Sequence, residues 1–153
     1  MKRRLGEVGI NQRALFHGTK FTNPRQLATG VDGIDPRCTP PGRYYGTGAY
    51  FSEDLDYVDS WYAFKVPGHA DLYQVIVAHV LCGQQYDFGE EVTRESAELR
   101  RPPYIPGTTI TYDSVKGGPH RGSYMHVVYS ATRSHISYIV TYRKSDTPAP
   151  VHP

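Results

Sequence analysis

The chain has 153 residues, 39% of them hydrophobic, with 17 Lys and Arg against 15 Asp and Glu. That length suits one compact domain with one core, and a formal net charge of +2 is too small to argue for nucleic acid by itself. No run approaches the roughly 20 apolar residues of a membrane helix, so no membrane association is expected.

Met1 to Gly9 is polar and poorly periodic, and reads as a flanking segment over 1–9. Lys2-Arg3-Arg4 is basic, but no apolar stretch follows it as a signal peptide requires. Ile10 to Phe16 leads into a first short strand, Ala14 to Phe16, which delivers His17 and Gly18 at its end. Asn23-Pro24 looks like a helix start, with Asn as the cap and Pro at the first helical position, and Gly30 is a stop, giving a short helix Pro24 to Thr29. Val31 to Tyr44 holds three prolines and two glycines and reads as a loop. Tyr45 to Phe51 is a glycine-rich turn running into a strand. Ser52-Glu53-Asp54 supplies cap residues and early negative charge for a helix over Leu55 to Phe64.

Leu72 to Leu81 is apolar on both faces and predicts a central strand. Gly89 to Thr109 is charged and then proline-rich, a long surface excursion with a helical turn within Glu90 to Leu99. Ile110 to Val115, Tyr124 to Tyr129 and Ile136 to Tyr142 predict three further strands. The residues 145–153 carry three prolines and read as a flexible tail, which leaves 10–144 as the folded domain. Many strands, few short helices and no regular βαβ alternation make an α+β pattern.

Cys38 and Cys82 form neither a disulfide framework nor a metal-like spacing, so a reducing, intracellular compartment is the default. His69, His79, His120, His126, His135 and His152 likewise show no ligand spacing; they read as structural or solvent-facing, and no metal is expected. Arg100-Arg101 reads as a solvated loop. The chain uses 13 Tyr against 5 Phe and 1 Trp, which suits half-buried strands and also stacking surfaces.

Gly18 has no side chain, so its backbone N–H and C=O can approach a carboxamide closely, one donor and one acceptor against one of each. Gly46 and Gly48 permit a tight turn that lays Tyr50 flat against a ring. His17 offers a donor to a sugar hydroxyl, and Trp61 or Tyr62 could close a second aromatic face. Read blandly, His17 is a structural histidine and the tyrosines are sheet surface. The residues alone therefore support a soluble α+β domain with room for a small aromatic ligand.

Set in order, these stretches resemble a known family. Arg13-Ala14-Leu15-Phe16-His17-Gly18-Thr19, Asn23 after it, Tyr45-Gly46-x-Gly48-x-Tyr50-Phe51, Leu72 to Gly83, Tyr112-Asp113-Ser114-Val115 and the closing strands resemble the catalytic domain of the poly- and mono-ADP-ribosyltransferases of the diphtheria-toxin-like class (PARP-like). The resemblance runs from about Asn11 to Arg143. It implies a split, mostly antiparallel β structure with short flanking helices and NAD in the cleft between its halves. His17 would hold a ribose hydroxyl, Gly18 would clamp the nicotinamide amide, Tyr50 would stack on the ring, and Thr19 and Asn23 would border the same ligand. Ungapped counting puts Trp61 at the second stacking aromatic and Val58 at an amide-binding Ser, a part Ser60 takes if the register slips.

Polymer-forming members carry Glu where this chain has Met125; methionine has no charge and only a weak acceptor sulfur. The resemblance of His17, Tyr50 and Met125 is to the mono-ADP-ribosylating members. It implies transfer of one ADP-ribose from NAD to an acceptor, with protein side chains first. Nucleic-acid ends are the alternative acceptor, and an inactive NAD- or partner-binding protein is the alternative class. A monomer is expected, and in this family such a domain is often one module of a longer chain.

Overall fold

The computed structural model describes residues 10–145; the expected flank 1–9, and all but the first residue of the expected tail 145–153, lie outside the described residues. In chain order the elements are β1 Gln12–His17, α1 Pro24–Thr29, β2 Ala49–Ser52, α2 Leu55–Trp61, β3 Phe64–Lys65, β4 Leu72–Leu81, β5 Gln85–Asp87, α3 Arg94–Ala97, β6 Ser114–His120, β7 Ser123–Val128 and β8 Ser134–Arg143. Short 3₁₀ turns lie at Pro36–Cys38 and Ala131–Arg133.

β4 is the spine of one half. It pairs with β1 from Gln12↔Leu81 to His17↔Ile76, with β3 at its start, and with β8 along its other side. The other half runs β2-β7-β6-β5. The pairings are antiparallel except for β5 with β6. The two halves meet where β1 and β2 pair through Phe16↔Ser52 alone. Beyond that pair the strands part, and His17 and Gly18 leave β1 at the parting. The eight strands among the described residues form one mostly antiparallel sheet with few short helices, the α+β class the sequence predicts and consistent with the fold the resemblance implies. Among the described residues no helix is long and apolar enough to cross a membrane.

Two cores flank β4. Leu15, Phe51, Ile76, Ala78, Val80 and Val128 form one, with Leu27 of α1 against it. Tyr45, Tyr57, Val58, Val75, Met125 and Val127 belong to the other, into which Phe16, Tyr50 and Tyr62 also pack. Alternate side chains of one strand supply both, Val75 to the second and Ile76 to the first, which is why β4 reads as apolar throughout. Each such side chain, fully buried, contributes about 1.5–3 kcal/mol.

Helix α1 has the bounds its sequence predicts; the Asn23 side chain accepts from the Arg25 N–H at 3.0 Å. Helix α2 is capped by Asp54 but ends at Trp61, short of the expected Phe64, because Phe64 pairs with Gln74 as an edge strand of β4. The strand expected over Ile110 to Val115 begins only at Ser114 and continues to His120. Residues before it form a single bridge, Tyr104↔Thr111. Gly117 to Pro119 looks like a breaker, yet the β6–β7 register shifts between Gly117 and His120, and in that irregularity the proline's missing N–H costs no ladder bond.

Candidate active site

The turn before β2 is built around missing side chains. Gly46 has φ of 76°, and a Cβ there would lie 2.6 Å from the Leu99 carbonyl carbon, whose oxygen accepts from the Thr47 N–H at 2.8 Å. The Tyr50 hydroxyl reaches back over this turn. It donates to the Gly46 carbonyl at 2.8 Å and accepts from the Tyr45 N–H at 2.9 Å. Burial raises the Tyr50 phenol, so it stays neutral. Tyr45 beneath it is fully buried, with its hydroxyl 2.7 Å from His120 Nε2 and its carbonyl accepting from the Tyr129 hydroxyl at 2.6 Å. Burial is the main cause that pushes the Tyr45 phenol up to about 12.

Tyr50 and Met125 are diagonal neighbours on one face of the β2–β7 pair, since Tyr50 opposes Val127 and Ser52 opposes Met125. Met125 is 5% exposed and packs in the same cluster as Tyr50. The side chain behind it, His126, is fully buried. Its Nε2 lies 2.7 Å from Glu53 Oε1, which also accepts from Arg13 at 2.9 Å, and its Nδ1 lies 3.0 Å from the Gln85 amide. Burial lowers the pKa of His126 despite Glu53.

His17 joins the pair through the backbone. Its Nδ1 is 2.7 Å from the Tyr50 carbonyl, and its ring tilts against Phe51 with centroids 5.3 Å apart. A carbonyl only accepts, so Nδ1 carries the proton. Burial lowers the pKa, which makes the neutral ring the resting form. Nε2 then carries a lone pair. The sequence suggests His17 as a donor to a sugar hydroxyl; in this tautomer it is the acceptor.

Gly18 packs against the end of α2. A Cβ there would lie 2.5 Å from the Tyr62 carbonyl oxygen, and that oxygen accepts from the Lys20 N–H at 2.8 Å. Of the two aromatics left open by the sequence, Tyr62 therefore stands beside Gly18. Trp61 is 45% exposed and carries the Arg121 guanidinium 3.8 Å above its ring. Val58 is buried in the core at 3% exposure, whereas Ser60 is exposed. Thr19 donates its hydroxyl to the Thr22 carbonyl and Asn23 caps α1, so both side chains have partners within the loop. His17, Gly18, Tyr50 and Met125 are brought together, with Tyr62 as the fifth wall. Nothing in the sequence signals that Leu99 closes the Gly46 turn, because that contact joins two loops with no shared periodicity. Among the described residues no group of three His, Cys, Asp or Glu could hold a metal.

No family model matches the chain. It is similar to the human protein mono-ADP-ribosyltransferase PARP12, 27% identical over 156 residues, covering 97% of this chain and 20% of that protein. It is also similar to a Dictyostelium discoideum protein described as a probable poly(ADP-ribose) polymerase, 24% identical over 143 residues, covering 94% of this chain and 37% of that protein.

Proposed function

We propose that this PARP-like catalytic domain transfers a single ADP-ribose from NAD to a carboxylate acceptor and releases nicotinamide. The observation that carries the reading is the contact set at the parting of β1 and β2: His17 bonded to the Tyr50 carbonyl, with Met125 diagonal to Tyr50 on the same sheet face. The similarity to ADP-ribosyltransferases over nearly the whole chain supports the same chemistry.

In this reading Gly18 offers its backbone to the carboxamide, and Tyr50 and Tyr62 supply the two aromatic faces, Tyr62 replacing Trp61 as the second. His17 Nε2 accepts from a ribose hydroxyl. The bond between the ribose C1′ and the nicotinamide nitrogen breaks, and its electron pair neutralises the charge of the leaving ring. A carboxylate oxygen forms the new bond to C1′. An ionised carboxylate has no proton to lose, so no general base is needed at position 125, and a buried methionine there is compatible with the step. Orientation of the ring, ribose and acceptor supplies the rate, a contribution that reaches about 7–11 kcal/mol in well-aligned systems. The protein itself, or a second polypeptide, is the acceptor.

A second reading, NAD binding without turnover, is favoured by one observation: Val58, where the resemblance places an amide-binding Ser, is buried in the core and carries no hydroxyl. Incubation with NAD separates the two. Released nicotinamide together with a single ADP-ribose mass increment on protein, both lost in His17→Ala and Tyr50→Ala, supports transfer. Saturable NAD binding with no nicotinamide, in the presence of carboxylate-rich acceptors, rejects it in favour of the second reading.

A further inference from the structure

The run 98–104 forms the wall of an open concavity of about 550 Å³. Its place in the fold is fixed by the Gly46 turn. The Leu99 carbonyl accepts from Thr47, and the Gly46 carbonyl holds the Tyr50 hydroxyl at 2.8 Å, so this wall is one backbone contact from the turn that positions Tyr50. The loop is braced from the other side as well, by Tyr112 N–H to the Pro103 carbonyl at 2.9 Å and Ile105 N–H to the Ile110 carbonyl at 2.8 Å.

The charges along this wall are uneven. Glu98 accepts from Arg94 at 3.1 Å, one turn back on the exposed surface. Arg100 and Arg101 are exposed, and neither has a carboxylate partner among the described residues. Arg101 lies over the Tyr104 ring, its guanidinium carbon 4.8 Å from the centroid. Stacking of this kind occupies the flat face of a guanidinium and leaves its N–H edge to take a carboxylate in bidentate fashion. Proline at 102 and 103 limits the freedom of the loop, which lowers the ordering cost of a partner.

We propose that the concavity walled by 98–104 docks an acidic polypeptide segment, with Arg100 and Arg101 as the carboxylate contacts, and so brings an Asp or Glu side chain toward the cleft. The delivery rests on the ADP-ribosyl transfer proposed above; the docking does not. A polypeptide fits better than a polynucleotide on two grounds. The Tyr104 ring that a base would stack upon is already covered by Arg101. A polynucleotide also draws its affinity from a track of several phosphate contacts, and here two guanidiniums stand beside a glutamate.

The test is fluorescence anisotropy with three labelled probes: a Glu-Gly-Ser repeat peptide, its Gln-Gly-Ser counterpart, and a 5′-phosphorylated single-stranded oligonucleotide. The Glu peptide should bind at least about tenfold more tightly than the Gln peptide. R100A/R101A should lose most of that difference, whereas R25A/K65A, which removes the same charge from other exposed positions, should keep it. Equal weakening in both double variants, unchanged binding in R100A/R101A, or tighter binding of the oligonucleotide than of the Glu peptide overturns the docking. Nicotinamide release with water as acceptor is read on the same proteins. It should be the same in R100A/R101A as in the unmodified chain; its loss only in that variant places the arginines on NAD and overturns the assignment to the acceptor. Its absence in the unmodified chain both with water and with carboxylate-rich acceptors rejects the transfer reading, and with it the delivery, while the anisotropy still decides the dock.

Discussion

The Tyr50 hydroxyl and the Gly46 carbonyl are 2.8 Å apart, so the aromatic ring of the candidate site is tied at its far end to the turn that precedes its own strand. The Tyr50 hydroxyl oxygen also accepts from the Tyr45 N–H. Tyr50→Phe keeps the stacking face but leaves a buried N–H and a carbonyl without their partner, a loss of about 1–3 kcal/mol. Thermal unfolding should show a clear fall in midpoint. Nicotinamide release should fall far less than in Tyr50→Ala, which removes the ring. Equal losses of activity in the two variants would mean that the hydroxyl, not the face, is what the reaction uses.

Gly18→Ala tests the packing explanation of that glycine. The added carbon would meet the Tyr62 backbone, with 2.5 Å to the carbonyl oxygen and 2.7 Å to the carbonyl carbon. Neither atom belongs to a flexible side chain, so the strands and α2 must move apart, at a cost of about 1–3 kcal/mol. A melting temperature equal to that of the unmodified chain would contradict the close approach, whatever happens to NAD binding.

Met125→Glu places a carboxylate where the present side chain is 5% exposed and packed among Tyr45, Tyr57 and Val127. Burying an ionisable group there without a designed partner costs a few kcal/mol and drives it toward its neutral form. The variant should be less stable, and it should yield no polymer, because a carboxyl driven to its neutral form in that packing cannot stabilise positive charge on the ribose. Gel ladders of ADP-ribose polymer from this single substitution would reject the account of position 125.

Stability should depend on pH through His17 and His126. Burial lowers both from the ordinary value of 6.5, so the folded chain holds them neutral while the unfolded chain takes up protons below that pH. The unfolded state then binds more protons, and stability falls as pH drops from about 6.5 and levels off below the native pKa values. The contribution is complete above 6.5. Denaturant titrations across this range should show the fall, and His17→Asn should reduce it. Protonation of His17 Nε2 also removes the lone pair proposed for the ribose hydroxyl, so affinity for NAD should hold near pH 6.5 and weaken only as pH falls through the lowered native pKa.

Local chemistry made part of this molecule readable. Asn23-Pro24 and Gly30 bracket α1 at its observed ends, and Leu72 to Leu81, rich in β-branched residues on both faces, forms the strand β4 as expected. What escaped depends on partners far away in the chain. Phe64 was the expected end of a helix, yet with Lys65 it becomes strand because Gln74 and Tyr73 offer them a ladder. Gln85–Asp87 is three residues long and acquires its strand character from β6 alone. That His17 and Tyr50 would lie together was legible, because the two motifs flank strands that pair at Phe16↔Ser52. Which of Trp61 and Tyr62 lies beside Gly18 was not, because that depends on how α2 ends: Tyr62 leaves the helix with φ of −136° and packs on Gly18, while Trp61 is exposed.

The single rung joining β1 to β2 has a further meaning. Past Phe16 and Ser52 the described strands β1 and β2 share no further rung. On the proposed reading the carboxamide of the dinucleotide takes the place of the next rung, donating and accepting as a peptide would. The ligand is then a step of the sheet itself, and a primary amide on a flat ring, with no sugar or phosphate attached, is the smallest molecule that can complete it.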